Sequence, residues 1–235
     1  MTVSFALNNA AQYQHYALGP EAEPLLLIDN ALADPASIVD YAASDGVYGP
    51  AGAAYPGIRR PAPQQYLDTV YEALSPLLKS TFAIPAEQRF RLDSSFSMVN
   101  QPPANLRHYQ RVPHVDKHGP YDLAMVHYLC GPEFGGTHFF RHRSTGYQRI
   151  SAERELGYNE SLNQELNQQI LPAGFPDEEH PLFERVATVE AVFNRLIIYR
   201  ASTLHSPAIP LNAHYSSNPR EGRLTMTSFL FALDD

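Results

Sequence analysis

The chain changes period at Arg89, and that change limits its architecture more than any other feature. Up to that point apolar residues recur at helical spacing. Beyond it, Phe90, Leu92, Ser94, Phe96 and Met98 alternate with their neighbours, and the rest reads as short apolar stretches broken by Gly and Pro. Alternation places successive side chains on opposite faces of an extended chain, whereas a 3.6-residue repeat gathers them on one face of a helix. Helices first and many short strands afterwards predict a sandwich or jelly roll with helices packed outside it.

The elements follow from local signals. Glu23–Asn30 reads as a strand centred on Leu25 to Ile28. Asp34-Pro35 opens a helix, with Asp at the N-cap and Pro at the first helical position. This helix is expected to end before Gly46. Residues 47–63, rich in Gly, Pro and Ala, read as a loop. A second helix is expected from Gln64 to Ser80, with Tyr66, Val70, Leu74, Leu77 and Leu78 on its apolar side. Strands are expected at Arg107–Val115, Leu123–Leu129, Thr137–Phe140 (after a turn at Gly135-Gly136), Phe183–Val192, Arg195–Tyr199, His205–Ile209 and Arg223–Phe231. Residues 150–170 return to a polar helical pattern. The expected organisation is one domain over 1–235. In it, residues 1–88 pack a strand and helices on a β core at 89–235 that carries an acidic insertion at about 150–182.

Composition narrows the function. In 235 residues the net charge is −8. Residues 151–190 hold nine acids against two bases, while residues 107–149 hold six bases against three acids. An acidic protein with one basic stretch is a poor nucleic-acid binder but can receive a small anion. The acidic insertion reads as a solvated helix, with a lid or a preference for a cationic, amine-bearing or peptide substrate as the functional alternatives. Cys130 is the only cysteine, so no intramolecular disulfide forms, which fits a reducing, cytoplasmic setting. The first thirty residues lack a signal-peptide pattern, and the apolar runs are too short to span a bilayer. The expectation is therefore no membrane and no nucleic acid as partner, with the oligomeric state open.

The chemistry centres on His114-Val115-Asp116. Residues i and i+2 of an extended segment share a face, so one ion can be reached by both side chains. A distant histidine, His205, would complete a two-histidine, one-carboxylate facial set, which leaves coordination positions open for Fe(II) oxygen chemistry. A His-x-Asp alone is weak among ten histidines, since a hydrogen-bonded strand pair gives the same tripeptide. His118, His127, His138 and His142 read as structural or surface residues.

The order of motifs adds specificity. After His114-Val115-Asp116 come Tyr128-Leu129 on an alternating strand, Gly135-Gly136 leading to Phe139-Phe140, Asn194-Arg195, Leu204-His205 and Gly222-Arg223. This order resembles the prolyl-4-hydroxylase-like branch of the Fe(II)/2-oxoglutarate oxygenases, over about residues 105–231. The resemblance implies a double-stranded β-helix (cupin-like jelly roll) that is mainly β with flanking helices. It implies His114, Asp116 and His205 as iron ligands and Arg223 as the grip on the distal carboxylate of 2-oxoglutarate. Thr225, Tyr128 and Tyr109, read as lying on the strand before the triad, are further candidates for cosubstrate contact. Arg223 follows His205 by a longer gap than the pattern usually shows, which makes Arg220 the reserve. The implied activity is hydroxylation of an unactivated C–H bond on a small molecule or peptide side chain; Asp116 fills the position that related halogenases leave open. The alternatives are a non-catalytic metal-binding jelly roll, which needs no Arg223–Thr225 pocket, and a zinc hydrolase, for which no His-Glu-x-x-His motif is present.

Overall fold

The computed structural model describes residues 4–44, 46–52 and 55–233. The N-terminal part forms a hairpin of β1 (Gln12–Leu18) and β2 (Glu23–Asp29), helix α1 (Pro35–Ala42), the short strands β3 (Gly49–Pro50) and β4 (Gly57–Pro61), and helix α2 (Gln64–Thr81). The remainder contains β5 (Phe90–Val99), β6 (Leu123–Tyr128), β7 (Gly136–His142), α3 (Ala152–Leu166), β8 (Phe183–Val189), β9 (Arg195–Arg200), β10 (His205–Ala208) and β11 (Arg223–Ala232). Among the described residues no helix is long and apolar enough to cross a membrane.

Two antiparallel sheets result. The larger runs β1-β2-β9-β6-β11-β5-β4-β3 and the smaller β10-β7-β8. The segment around His114 joins the smaller sheet through a bridge to His205. From β5 onward the chain visits the large sheet, the His114 segment, the large sheet (β6), the small sheet (β7, β8), the large sheet (β9), the small sheet (β10) and the large sheet (β11). That alternating path is a double-stranded β-helix.

Each layer is set by side-chain alternation. One face of the large sheet buries Leu26, Ile28, Phe96, Met98, Met125, Ile198 and Met226 against Ile38 of α1 and Tyr66, Val70, Leu74 and Leu78 of α2. The other face turns Leu25, Leu27, Val126, Tyr128, Ile197 and Tyr199 toward Phe139 of the small sheet. β2 is covered on both faces, which explains its unbroken apolar run. α3 closes the outside of the small sheet, burying Tyr158 with Phe140, Ile150 and Phe183. α1 starts as its sequence requires: Asp34 Oδ1 accepts from Ser37 N at 3.2 Å, with Pro35 inside the first turn.

Three expectations are corrected. Residues 47–63 are not all loop: β4 pairs with β5 along Gly57–Pro61, and residues 53 and 54 lie outside the described residues. A Cβ at residue 57 would stand 1.9 Å from Met98 O, so Gly57 is what lets this strand approach. The strand expected at Arg107–Val115 is a 3-10 turn at His108–Arg111, closed by Gln110 N donating to Arg107 O at 2.9 Å and Arg107 N donating to Gln110 Oε1 at 2.8 Å. Tyr109 therefore stands on a turn, not on a strand. β1, which sequence reading left unassigned, is a polar edge strand that lacks an apolar alternation.

Candidate metal centre and its inner pocket

The backbone fixes two of the three candidate ligands against each other. His114 N donates to His205 O, and His205 N to His114 O, both at 2.9 Å. Their rings lie 4.3 Å apart, centre to centre. Asp116 N donates to Ala201 O at 2.8 Å, pinning the carboxylate to the turn between β9 and β10. One ligand atom from each of His114, Asp116 and His205 falls within 4.8 Å of the others. His205 Nε2 is 3.5 Å from Asp116 Oδ2, and His114 Nε2 is 3.8 Å from Asp116 Oδ1.

Protonation follows from the surroundings. His205 Nδ1 lies 2.9 Å from Thr203 O, and a carbonyl only accepts, so Nδ1 donates there and Nε2 is the atom turned toward Asp116. Burial, then His205 and Arg59, hold His114 well below the usual histidine range. Its side chain is nonetheless 50% exposed, so water reaches one side of the ring. Burial raises the Asp116 carboxyl, while His205 and Arg59 pull it back down. Two imidazoles and a carboxylate are a donor set that suits a divalent first-row metal.

Across Tyr199 from this cluster lies a group of buried polar side chains, hereafter the pocket. Arg223 is 5% exposed, and its Nη2 donates to Gly136 O at 2.8 Å. Its Nε is buried without a partner among the described residues. The guanidinium stands 5.9 Å from the centre of the Tyr128 ring. The Tyr128 hydroxyl is held by Thr137 Oγ1 at 2.6 Å, joining the two sheets, and burial pushes it up to about 12. Thr225 Oγ1 donates to Ser97 O at a long 3.3 Å. Tyr199 links pocket and cluster: its ring packs against His205 at 4.9 Å, and its hydroxyl feels both Asp116 and Arg223. Arg220, the reserve, is exposed and paired with Asp40 of α1. The Tyr109 hydroxyl, at a residue 45% exposed, accepts from Arg107 Nη1 at 2.9 Å.

Two residues absent from the sequence reading border this pocket. Tyr55 carries a buried hydroxyl that approaches Thr225 without a well-formed bond and feels the charges of Arg223 and Arg59. Arg59 stacks on the Tyr55 ring at 4.4 Å and donates from Nε to Ser97 Oγ at 3.1 Å. No local signal marks either one, because pairing of β4 with β5 brings them in.

The four histidines read as structural or surface residues have protein partners. His127 Nδ1 accepts from Tyr66 at 3.2 Å, and its Nε2 donates to Asn194 Oδ1 at 3.1 Å. His138 is bonded to Thr188, His142 to Glu165, and His118 to Ile150 O with Glu155 nearby. The Asn194-Arg195 pair is structural. Asn194 brackets Leu32 with bonds of 3.0 and 2.9 Å, and Arg195 grips Asp29 at 2.7 and 3.0 Å.

Strand order and pairing define a double-stranded β-helix that carries a candidate two-histidine, one-carboxylate cluster. Over residues 9–230 the chain belongs to the family described as "Family of unknown function (DUF6445)". No curated protein matches it. Among solved structures, the non-heme alpha ketoglutarate dependent epimerase SnoN from nogalamycin biosynthesis is similar at 15% identity and TM-score 0.45, covering 89% of this chain and 78% of that one. HygX from Streptomyces hygroscopicus, with nickel and 2-oxoglutarate bound, is similar at 12% identity and TM-score 0.49, covering 92% and 84%. An N-substituted L-amino acid dioxygenase from Burkholderia ambifaria AMMD is similar at 9% identity and TM-score 0.41, covering 97% and 100%. The fold assignment stands on this chain's own strand order and pairing.

Proposed function

We propose that this protein is an Fe(II)- and 2-oxoglutarate-dependent oxygenase, similar to the prolyl-4-hydroxylase-like branch, that hydroxylates an unactivated C–H bond of a small molecule or peptide side chain. One observation carries the reading: Tyr199 packs on His205 and feels the charges of both Asp116 and Arg223, a buried arginine whose Nε has no partner among the described residues. A plain metal site needs no such cation, and a buried guanidinium with an unmet donor is costly unless an anion completes it.

The residues fit the two groups. His114, Asp116 and His205 would hold iron through one side-chain atom each, leaving positions for cosubstrate and oxygen. Arg223 would take the distal carboxylate of 2-oxoglutarate with its free donors, since its planar fork stays charged when buried. Thr225 and the Tyr55 hydroxyl lie where they can add bonds to that carboxylate. Tyr128, its hydroxyl already engaged by Thr137, serves as a wall under the guanidinium. When bound, iron and 2-oxoglutarate supply oxidative decarboxylation coupled to oxygen insertion. The protein's part is to keep the His114 imidazole neutral through burial, to orient His205 through Thr203, and to hold the cosubstrate against a wall of Tyr128, Tyr199 and Phe139.

Anaerobic titration of the metal-free protein with Fe(II) and then 2-oxoglutarate tests this reading. A saturable visible charge-transfer band is expected, absent in His114→Ala. Arg223→Ala should weaken 2-oxoglutarate binding roughly tenfold to a hundredfold while metal uptake persists. Metal uptake without a band would favour a metal-binding jelly roll without catalysis. No uptake would return His114 and Asp116 to an ordinary hydrogen-bonded pair.

A further inference from the structure

Arg59 lies on the same face of the large sheet as the cosubstrate pocket. Register pairs Arg59 with Ser97, Ser97 with Thr225, and Thr225 with Tyr128. Directly paired residues of an antiparallel sheet share a face, so the Arg59 side chain stands in one row with Thr225 and Tyr128, and Arg223 lies one step along that face. Its head group is aimed by two contacts: Nε donates to Ser97 Oγ, itself 2.6 Å from Thr227 Oγ1, and the guanidinium stacks on Tyr55. Nη1 and Nη2 make no hydrogen bond or ion pair to a described residue, which leaves an end-on fork open. Arg59 is half-buried, so the fork borders the pocket rather than the closed core.

Charge sharpens the point. No ion pair among the described residues involves Arg59 or Arg223. The shared row of Arg59, Thr225 and Tyr128 places this unpaired cation on the sheet face that carries Arg223. On the reading proposed above, a divalent metal, Asp116, the cosubstrate dianion and Arg223 sum to zero. Arg59 then leaves one positive charge unbalanced at a half-buried position, where an anion can meet it. The acids of the insertion do not supply it: Glu155 faces His118 and Glu165 is held by His142 and Ser144.

We infer that the substrate is a carboxylate, held end-on by Nη1 and Nη2 of Arg59 so that a neighbouring C–H bond faces the metal cluster. This inference rests on the oxygenase reading for its chemistry but not for its binding site. It replaces the cationic substrate that the acidic insertion suggests from charge alone. Arg59 is a specificity residue, and Ser97 and Tyr55 are positioning residues that aim it.

Acetate and acetamide serve as matched probes that differ in charge and little else. Binding of each is followed by saturation-transfer NMR on anaerobic protein loaded with Fe(II) and 2-oxoglutarate, and on metal-free Arg223→Gln, where acetate cannot settle on Arg223. Acetate is expected to bind about tenfold better than acetamide in both, as a charge-assisted fork requires. Arg59→Gln should erase that preference, Arg59→Lys should restore part of it, and the chelate band should survive both. Equal binding of the two probes, or a preference that persists in Arg59→Gln, overturns the inference. Failure of the band itself overturns the oxygenase reading instead, and the metal-free comparison still decides the role of Arg59.

Discussion

Asp116 does two jobs with separate atoms. Its backbone N–H is tied to Ala201 O, and its carboxylate faces two histidines rather than a structural donor. Substitution to Ala keeps the backbone tie and removes only the carboxylate. Asp116→Ala should therefore unfold within a few degrees of the parent protein while losing Fe(II) affinity by more than about a hundredfold, beyond the 10–100-fold typical of residues that merely orient a ligand. Iron titration with thermal melting checks the split, and succinate formation should disappear with the metal. Retained turnover would remove Asp116 from the ligand set. His205 offers a contrast, since its Nδ1 bond to Thr203 O and its packing on Tyr199 make it structural as well. His205→Ala is expected to cost stability and metal together.

At the scale of the elements, the Gly135-Gly136 pair shows what sequence conveys and what it conceals. Two glycines before an apolar stretch announce a turn into a strand. They do not announce that a Cβ on residue 136 would lie 1.8 Å from Val189 O, nor that Gly136 O anchors Arg223. Gly136→Ala should force β7 and β8 apart, destabilising the protein by roughly 2–4 kcal/mol and lowering its melting temperature by roughly 5–15 °C. It should also loosen 2-oxoglutarate through Arg223, which a titration of the variant would register. The strands from β5 to β11 were legible because each is a run of apolar or alternating residues of strand length, several of them bounded by Gly or Pro. α1 was legible from Asp34-Pro35, and the closeness of His114 and Asp116 from their two-residue spacing. β4 was not, because its face-sharing residues are Arg59 and Pro61, set among glycines and alanines, and only pairing with β5 makes them a strand. Tyr55 and Arg59 stayed hidden for the same reason: long-range register brings them to the pocket.

For the whole molecule, buried neutral histidines set the response to acid. His127 joins parts far apart in sequence: it accepts from Tyr66 of α2 and donates to Asn194, which in turn holds Leu32 ahead of α1. Burial outweighs the Asn194 bond and lowers His127 from 6.5 to about 4. His138 is likewise lowered to about 4, and His142 and His180 move in the same direction, again chiefly through burial. A group whose pKa is depressed in the folded state leaves the unfolded chain with more bound protons, so its contribution is complete above the unfolded value and is lost as pH falls through the folded one. Stability should thus hold near neutrality and decline from about pH 6.5 toward 4 as these side chains come under pressure to charge. A shift of that size at a fully buried site corresponds to roughly 3 kcal/mol for His127 alone. Gln at this position can donate to Asn194 Oδ1 and accept from Tyr66 without titrating. Denaturant unfolding of metal-free protein across this range should show a shallower acid loss in His127→Gln than in the parent, while both are of similar stability at pH 7. An unchanged slope would mean that the helices and the sheet are not held together through a neutral His127.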